Sequence, residues 1–279
     1  MVTLKLPTYV RREEPLRGRA HRLVTIFTSG ARRELKRPLN IIALVLAVAF
    51  GVISTIFNIF LAPLINPGQE ITAAYFYNTL VNPPVMLLIL VVATAVGSGL
   101  ISDDIRHMSL TLYLSRPITA IDYILAKASI VALALVIAVA FPGILGPIIA
   151  GLLVYVTWEV AVEALLAGLA LGLLATALFS SLVLVFSSLT SRKGVAAAAT
   201  FSTVLALQIV SGAVSNIFES EEILHLSLYQ NLLAVGRILY GVEANGIAWD
   251  VALTILLGII LVSSLVAYLR VRTMEVVAQ

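Results

Sequence analysis

The 279-residue sequence has no cysteine and few charged residues. The absence of cysteine excludes disulfide bonds, thiolate metal sites and cysteine nucleophiles. Charged residues make up only 12% of the chain, against about 25% in soluble globular domains, while hydrophobic residues reach 60%. This composition predicts a polytopic membrane protein that lies in a lipid bilayer.

Several chemical motifs are missing as well. No GxxxxGK[ST] phosphate-binding loop occurs, so we expect no nucleotide hydrolysis by that route and no enzyme activity in this chain. His21, His107 and His225 all fall outside the apolar runs, which argues against an intramembrane protease or a haem or metal carrier. The basic residues cluster beside apolar runs, so nucleic acid is not an expected partner. We predict no catalytic residue, no metal site and no cofactor bound by the chain itself.

Six apolar runs are each close to the roughly 20 residues that cross a bilayer as a helix. They cover residues 39–61, 85–101, 124–141, 165–189, 195–217 and 249–269. Pro-Gly at 142–143 and Gly-Pro at 146–147 predict a broken or partly re-entrant segment after the third run. Gly168 and Gly172 have the GxxxG spacing typical of close helix packing. The predicted fold class is an all-α polytopic membrane protein with six transmembrane helices.

The distribution of basic residues predicts the orientation. With the N-terminus inside, seventeen of the 18 Lys and Arg residues fall in inner segments, and only Arg237 lies outside. We therefore predict a multi-pass plasma-membrane protein with both termini cytoplasmic. Residues 218–248 are too charged to span and too apolar for a free loop, which predicts short helices on the outer surface. Glu159 and Glu163 are expected at the outer boundary, facing solvent or lipid headgroups.

Residues 1–38 are predicted to form a cytoplasmic tail and an amphipathic helix, and residues 39–279 the transmembrane domain. Apolar side chains recur on one helical face at Leu23, Ile26, Phe27, Gly30, Ala31 and Leu35. Basic residues occupy much of the remaining surface, as in helices that lie in the headgroup layer. The alternative is a basic flank that only fixes orientation. No apolar core of a cleavable signal peptide is present in this part, so none is expected.

The connection between the second and third runs, residues 101–127, carries six formal charges. Placing these six charges at the centre of a bilayer would cost on the order of 18 kcal/mol, at about 3 kcal/mol per charge. Insertion of the Leu and Ile residues of the same segment would contribute only about 4 kcal/mol in favour. This segment therefore stays in water. The spacing of Ile105, Met108 and Leu112 predicts a short amphipathic helix, and Pro117 marks the turn that follows.

These residues carry a resemblance to a known family. The connection resembles the cytoplasmic coupling region of ABC-2 type transporter permeases. Asp104 stands where that family usually has Glu, Ser109-Leu110 where it has Thr-Leu, and Pro-Ile-Thr at 117–119 where it has Pro-Ile-Ser. Met108 and Ala120 depart from the usual Gly and Arg. The resemblance implies a permease subunit of an exporter that docks a separate cytoplasmic ATPase, which would hold ATP and Mg, and that pairs with a second copy or a paralogue.

The resemblance also implies candidate site residues. Those of the ATPase-docking coupling helix are Asp103, Asp104, Arg106, Ser109, Leu110, Leu112, Arg116 and Pro117. The N-terminal amphipathic helix corresponds to a connecting helix that also contacts the ATPase, through Phe27, Arg32, Arg33 and Glu34.

Polar residues at membrane depth are candidates for a substrate pathway, because the resemblance implies that the first, second and fifth spans line a cavity between two permeases. They are Asn58, Thr94, Ser98, Gln208 and Ser211. The alternative for each is a hydrogen bond that joins helices. Two other functions stay open: a membrane scaffold or assembly factor without an ATPase partner, and an ion-coupled carrier. A carrier normally keeps an ionisable group near the midplane, and no such group is expected here.

Overall fold

The structure, a computed structural model, describes residues 18–61, 72–109, 118–243 and 246–277, except for the side chains of residues 141 and 275–277. Its α-helices in chain order are α1 (Arg19–Leu35), α2 (Pro38–Ile56), α3 (Ala73–Leu80), α4 (Pro83–Arg106), α5 (Ala120–Ala140), α6 (Gly146–Leu152), α7 (Trp158–Leu189), α8 (Lys193–Phe218), α9 (Leu228–Leu239) and α10 (Trp249–Val277). A π-helical turn extends α2 over Phe57–Leu61, another joins α5 to α6 over Phe141–Leu145, and a 3₁₀ helix covers Glu221–Leu226.

The predicted fold class is confirmed. Six helices are long and apolar enough to cross a membrane: Pro38–Leu61, Pro83–Arg106, Ala120–Ala140, Trp158–Leu189, Lys193–Phe218 and Trp249–Met274. No β-strand occurs in the part of the chain that the structure describes. The protein is therefore an all-α polytopic membrane protein.

Local sequence signals set several helix ends. Pro38 and Pro83 occupy the first helical positions of α2 and α4, where a missing backbone N–H costs nothing. Ser227 caps α9 by accepting a hydrogen bond from the Gln230 amide. Glu219 ends α8 in the left-handed conformation, with φ +51°. The proline and serine signals are local, so those three boundaries follow from the sequence, whereas a left-handed glutamate does not.

Three helices are longer than the apolar runs from which the spans were predicted. Helix α4 continues past residue 101 to Arg106, and α7 begins at Trp158 in place of 165. Helix α5 begins at Ala120, where a helix start after the Pro117 turn is predicted, although its apolar run begins at 124. As a result, charged residues assigned to connections belong to helices: Asp103, Asp104 and Arg106 to α4, Asp122 and Lys127 to α5, and Glu159 and Glu163 to α7. The physical reason is that hydrogen bonds and ion pairs to neighbouring helices, described below, stabilise several of these charges inside helical segments.

The predicted break after the third span is confirmed. Helix α5 ends at Ala140, and the chain continues through the π-helical turn into the short α6. A Cβ atom added at Gly168 would lie 2.1 Å from the carbonyl oxygen of Gly143, and one at Gly172 would lie 2.6 Å from Cγ1 of Val139. The GxxxG pair thus packs α7 against α5 and the turn after it, which the spacing predicted.

Helices α4 and α7 form the centre of the bundle. Within their apolar windows 78% and 67% of residues are buried, against 22% in both α8 and α10. The outer helices therefore present apolar side chains to lipid or to another protein. The starts of α2, α5 and α8 and the ends of α4, α7 and α10 lie at one end of the bundle, which we call the charged end.

Candidate functional site

The charged end contains a buried ion pair between α4 and α5. The Lys127 ammonium lies 2.7 Å from Oδ2 of Asp104, and their side chains are 3% and 5% exposed. The hydroxyl of Tyr123, one turn before Lys127, donates to the same carboxylate oxygen at 2.7 Å. Ser109 donates to the other oxygen at 3.1 Å. This network ties together the end of α4 and the first two turns of α5.

A second network joins the start of α2 to α4. Arg37 lies 2.9 Å from the carboxylate of the fully buried Glu34 and 3.3 Å from that of Asp103. The side-chain amide of Asn40 donates to Glu34 at 3.2 Å. A Cβ atom added at Gly99 would lie within 3.3 Å of Asp103, Arg37 and Lys193, so the start of α8 reaches the same place. Charge pairs therefore connect α1, the start of α2 and α4 at this end, and Lys193 of α8 lies beside them.

Helix α1 packs against α5. Its first residue, Arg19, donates two hydrogen bonds to one oxygen of Asp122, at 2.9 and 2.6 Å. Further along, Gly30 packs directly on the side chain of Ile130, which leaves no room for a Cβ atom. The hydrogen bond from Arg19 and its attraction to Asp122 raise the pKa of the Arg19 guanidinium above its ordinary value. The predicted amphipathic helix exists and is fixed to the bundle by both its polar and its small residues.

The predicted docking residues differ in their exposure to solvent. Arg106 and His107 are exposed, and Met108, 76% exposed with φ +52°, breaks the helix before Ser109. Ile105 therefore belongs to the last turn of α4 and does not start the predicted coupling helix. Asp103 is half-buried in its pair with Arg37. Leu110, Leu112, Arg116 and Pro117 lie outside the described residues, so their docking role stays a prediction.

Two predicted contact residues need correction. Asp104 and Glu34 were expected to face a partner protein, but both are buried, and their carboxylates are bonded inside the chain. The expectation was wrong for a physical reason. A charged residue beside a polar connection is expected to face water, but helices that are distant in sequence can enclose it. The other connecting-helix candidates differ: Arg32 and Arg33 are exposed, and Phe27 is half-buried against the core.

An apolar cavity of about 420 Å³ lies towards the other end of the bundle. Its walls come from α4, α7, α8 and α9, through Pro83, Pro84, Met86, Leu87, Leu90, Phe179, Val204, Leu205, Gln208 and Tyr229. The volume is in the range of ligand sites, about 300–1,000 Å³. Helix α4 runs from this cavity to the charged end. A shift of the whole helix would therefore move the α4 side chains that line the cavity.

The cavity has two polar side chains in its lining. Gln208 accepts a hydrogen bond from the hydroxyl of Ser227, which leads α9. The hydroxyl of Tyr229 donates to the carbonyl of Val81 at 2.9 Å. Burial, with a smaller contribution from Tyr77, raises the pKa of Tyr229 to about 12, so the phenol is neutral at physiological pH. The cavity is thus uncharged and suits an apolar or amphiphilic ligand.

Among the five predicted pathway residues, the structure brings Gln208 to this cavity. Thr94 and Ser211 are buried and donate to carbonyls of their own helices. The Ser98 hydroxyl is completely buried and has no hydrogen-bond partner among the described residues. Asn58 is half-buried and donates to the Ser54 carbonyl. The polar groups of Thr94, Asn58 and Ser211 therefore make hydrogen bonds within their own helices.

Sequence reasoning missed the roles of Tyr123 and Lys127. Lys127 was counted with the cytoplasmic connection, yet it lies two turns inside α5 and is 2% exposed. The sequence contains one signal for these roles. Tyr123 and Lys127 are four residues apart, so they share one face of a helix, and an acidic residue lies near the end of the preceding helix.

The described residues contain no group of three or more His, Cys, Asp or Glu side chains that could hold a metal ion. Comparison with protein-family models and with curated protein sequences gives no match to this chain.

Proposed function

We propose that this chain is the membrane-spanning permease subunit of an ATP-driven exporter of the ABC-2 type. A separate cytoplasmic ATPase, which binds ATP and Mg, docks on the connection between α4 and α5. A second copy or a paralogue packs alongside through the exposed outer helices, and the pair forms the substrate pathway. In this arrangement the chain lies in the plasma membrane with both termini in the cytoplasm.

One observation carries the proposal: the buried pair of Asp104 and Lys127 joins α4 and α5 close to the two helix ends that the connection links in sequence. A force applied to the connection therefore moves both helices together. At its other end α4 contributes Pro83, Leu87 and Leu90 to the apolar cavity. Closure of a docked ATPase would in this way change the shape of the cavity, whose α4 residues lie 16 to 23 residues from Arg106 along the helix.

The cavity favours one class of substrate. Its lining is apolar apart from one amide and one neutral phenol, so a hydrophobic or amphiphilic molecule is favoured over an ion or a sugar. An ion-coupled carrier would need a titratable group in this space, and the lining has none that titrates near neutral pH.

The experiment is site-specific photocrosslinking in the native cell. A photoreactive amino acid replaces Met108 beside the connection, and a control replaces Glu222 in the 3₁₀ helix at the opposite end. We expect the Met108 probe, but not the Glu222 probe, to capture a protein with a Walker phosphate-binding loop, and Arg106→Glu to reduce the yield. Capture of a partner without that loop would favour the scaffold alternative. Uptake or efflux driven by an imposed ion gradient without ATP would favour the carrier.

A further inference from the structure

The apolar cavity between α4, α7, α8 and α9 is accessible from the outside of the bundle. Three side chains that line it from α4, those of Pro83, Pro84 and Leu87, are exposed. They belong to a helix that is long and apolar enough to cross a membrane. Exposed apolar side chains on such a helix are solvated by lipid rather than by water. A hydrophobic ligand can therefore reach the cavity from the bilayer.

Ser227 fixes the orientation of the Gln208 side-chain amide in the cavity wall. As the cap of α9, the Ser227 hydroxyl oxygen accepts the backbone N–H of Gln230 at 3.2 Å. Its single proton is donated to Oε1 of Gln208. Because this bond holds Oε1, the Nε2 atom on the other side of the amide keeps two N–H groups. Among the described residues, none accepts a hydrogen bond from them.

Gln208 is the source of hydrogen-bond donors in the cavity. The hydroxyl of Tyr229 has already donated its proton to the carbonyl of Val81. The start of α4 adds no donor at Pro83 and Pro84, because proline has no backbone N–H. The other described side chains of the lining are apolar, and none of them is charged.

This arrangement favours a particular polar group in the ligand. A carbonyl oxygen accepts hydrogen bonds and has none to donate, so it complements the two N–H groups of Gln208. A carboxylate or phosphate oxygen would also accept, but its charge would enter a lining that holds no opposite charge, and such a transfer is strongly unfavourable. The remaining walls suit a hydrocarbon chain.

We propose that the cavity binds a neutral amphiphile of the fatty acyl ester class. The ester carbonyl accepts a hydrogen bond from Nε2 of Gln208, and the acyl chain packs against Leu87, Leu90 and Phe179. Gln208 is then a binding residue, and Ser227 is a positioning residue that keeps the amide nitrogen directed to the ligand. The inference rests on the proposed function in taking this ligand as the exported substrate, whereas the binding itself requires no ATPase.

The test is a competition experiment on the purified full-length chain in dodecyl maltoside. A methyl laurate analogue with a diazirine on its chain is photocrosslinked to the protein, and the crosslinked peptides are identified by mass spectrometry. Methyl laurate, tetradecane and laurate compete with this probe. The ester and the alkane have main chains of equal length and differ in the ester group, and laurate is ionised near neutral pH.

We expect crosslinks beside Leu87 and Leu205. The advantage of methyl laurate over tetradecane should be about fivefold larger in the wild type than in Gln208→Met, because one hydrogen bond between neutral groups contributes about that factor. Methionine keeps the length of the side chain, so partition of the ligands into detergent cancels in this comparison. Ser227→Ala should also reduce the advantage, and Ser227→Thr should retain it. Ser202→Ala, an exposed position of α8 outside the cavity lining, is the control and should match the wild type.

An ester advantage of equal size in the wild type and Gln208→Met, or crosslinks only outside the cavity, would overturn the proposal. Stronger competition by laurate than by methyl laurate would overturn the assignment of a neutral ligand. Ser227→Ala leaves the amide in place, so it gives an independent result should the Gln208 variant not fold.

These measurements are separate from the test of the proposed function. Loss of the ester advantage together with capture of a Walker-loop protein at Met108 would overturn the ligand class and keep the permease. The reverse result would support the ligand site in a protein that is not a permease.

Discussion

The ammonium of Lys127 lies 2.7 Å from a carboxylate oxygen of Asp104, across the interface of α4 and α5, with both side chains almost completely buried. Lys127 also lies over the Tyr123 ring, 5.2 Å from its centroid. A buried pair of this kind adds little compared with an apolar replacement of both residues, but it makes the removal of either one expensive. It therefore fixes how α4 and α5 are paired.

Replacement of one partner should destabilise the protein strongly. We expect Lys127→Met to lower the free energy of unfolding by about 3–5 kcal/mol, because it leaves the Asp104 carboxylate buried without its cation. The double variant Asp104→Leu with Lys127→Met should recover much of that loss. Thermal unfolding in detergent measures both, with the exposed Arg106→Gln as the control. A single variant as stable as the control would show that the pair is not desolvated.

The contact between Gly168 and Gly143 gives a prediction about packing. Alanine at Gly168 places its Cβ atom 2.1 Å from a backbone carbonyl oxygen, which cannot rotate away. We expect a loss of at least about 2 kcal/mol in stability. Gly212→Ala in α8 is the matched control, since no atom lies within 4 Å of its added Cβ atom, and it should be neutral or slightly stabilising. Equal melting temperatures for the two variants would contradict the packing of α7 on the turn after α5.

The orientation can be tested directly because the chain has no native cysteine. Met108→Cys and Glu222→Cys place single thiols on exposed residues at opposite ends of the bundle. With the N-terminus inside, a membrane-impermeant maleimide should label the Glu222 variant in intact cells, and the Met108 variant only after permeabilisation. The reverse pattern would invert the orientation and remove the proposed ATPase docking surface.

The Tyr229 phenol predicts a pH dependence. Burial raises its pKa to about 12 from an ordinary value of 10.0. Folding favours the protonated phenol, so this contribution to stability is complete below pH 10.0 and is lost as the pH rises towards 12. The free energy of unfolding of Tyr229→Phe should fall less than that of the wild type over that interval. Below pH 10.0 the variant should be the less stable of the two, because it lacks the hydrogen bond to Val81. Parallel curves of unfolding midpoint against pH for the two proteins would rule out a buried phenol.

The membrane class and most helix starts could be predicted from the sequence, whereas the site could be predicted only in part. Pro38, Pro83 and Ser227 are local signals that act wherever the helix lies in the fold. Gln208 was a reasonable pathway candidate, but nothing in its neighbourhood distinguishes it from Ser211, three residues later. The difference is which side of α8 faces α4 and α9, and that depends on the packing of helices distant in sequence.

The sequence by itself determined that the chain is an all-α membrane protein with six apolar helices and an amphipathic N-terminal helix, because hydropathy and helical spacing are properties of short segments. Only the tertiary structure decided that Asp104 faces Lys127, that Glu34 is enclosed, and that Ser227 bonds to Gln208. The energy of a charge depends on the groups around it in space, and many of those groups belong to helices that are distant in the sequence.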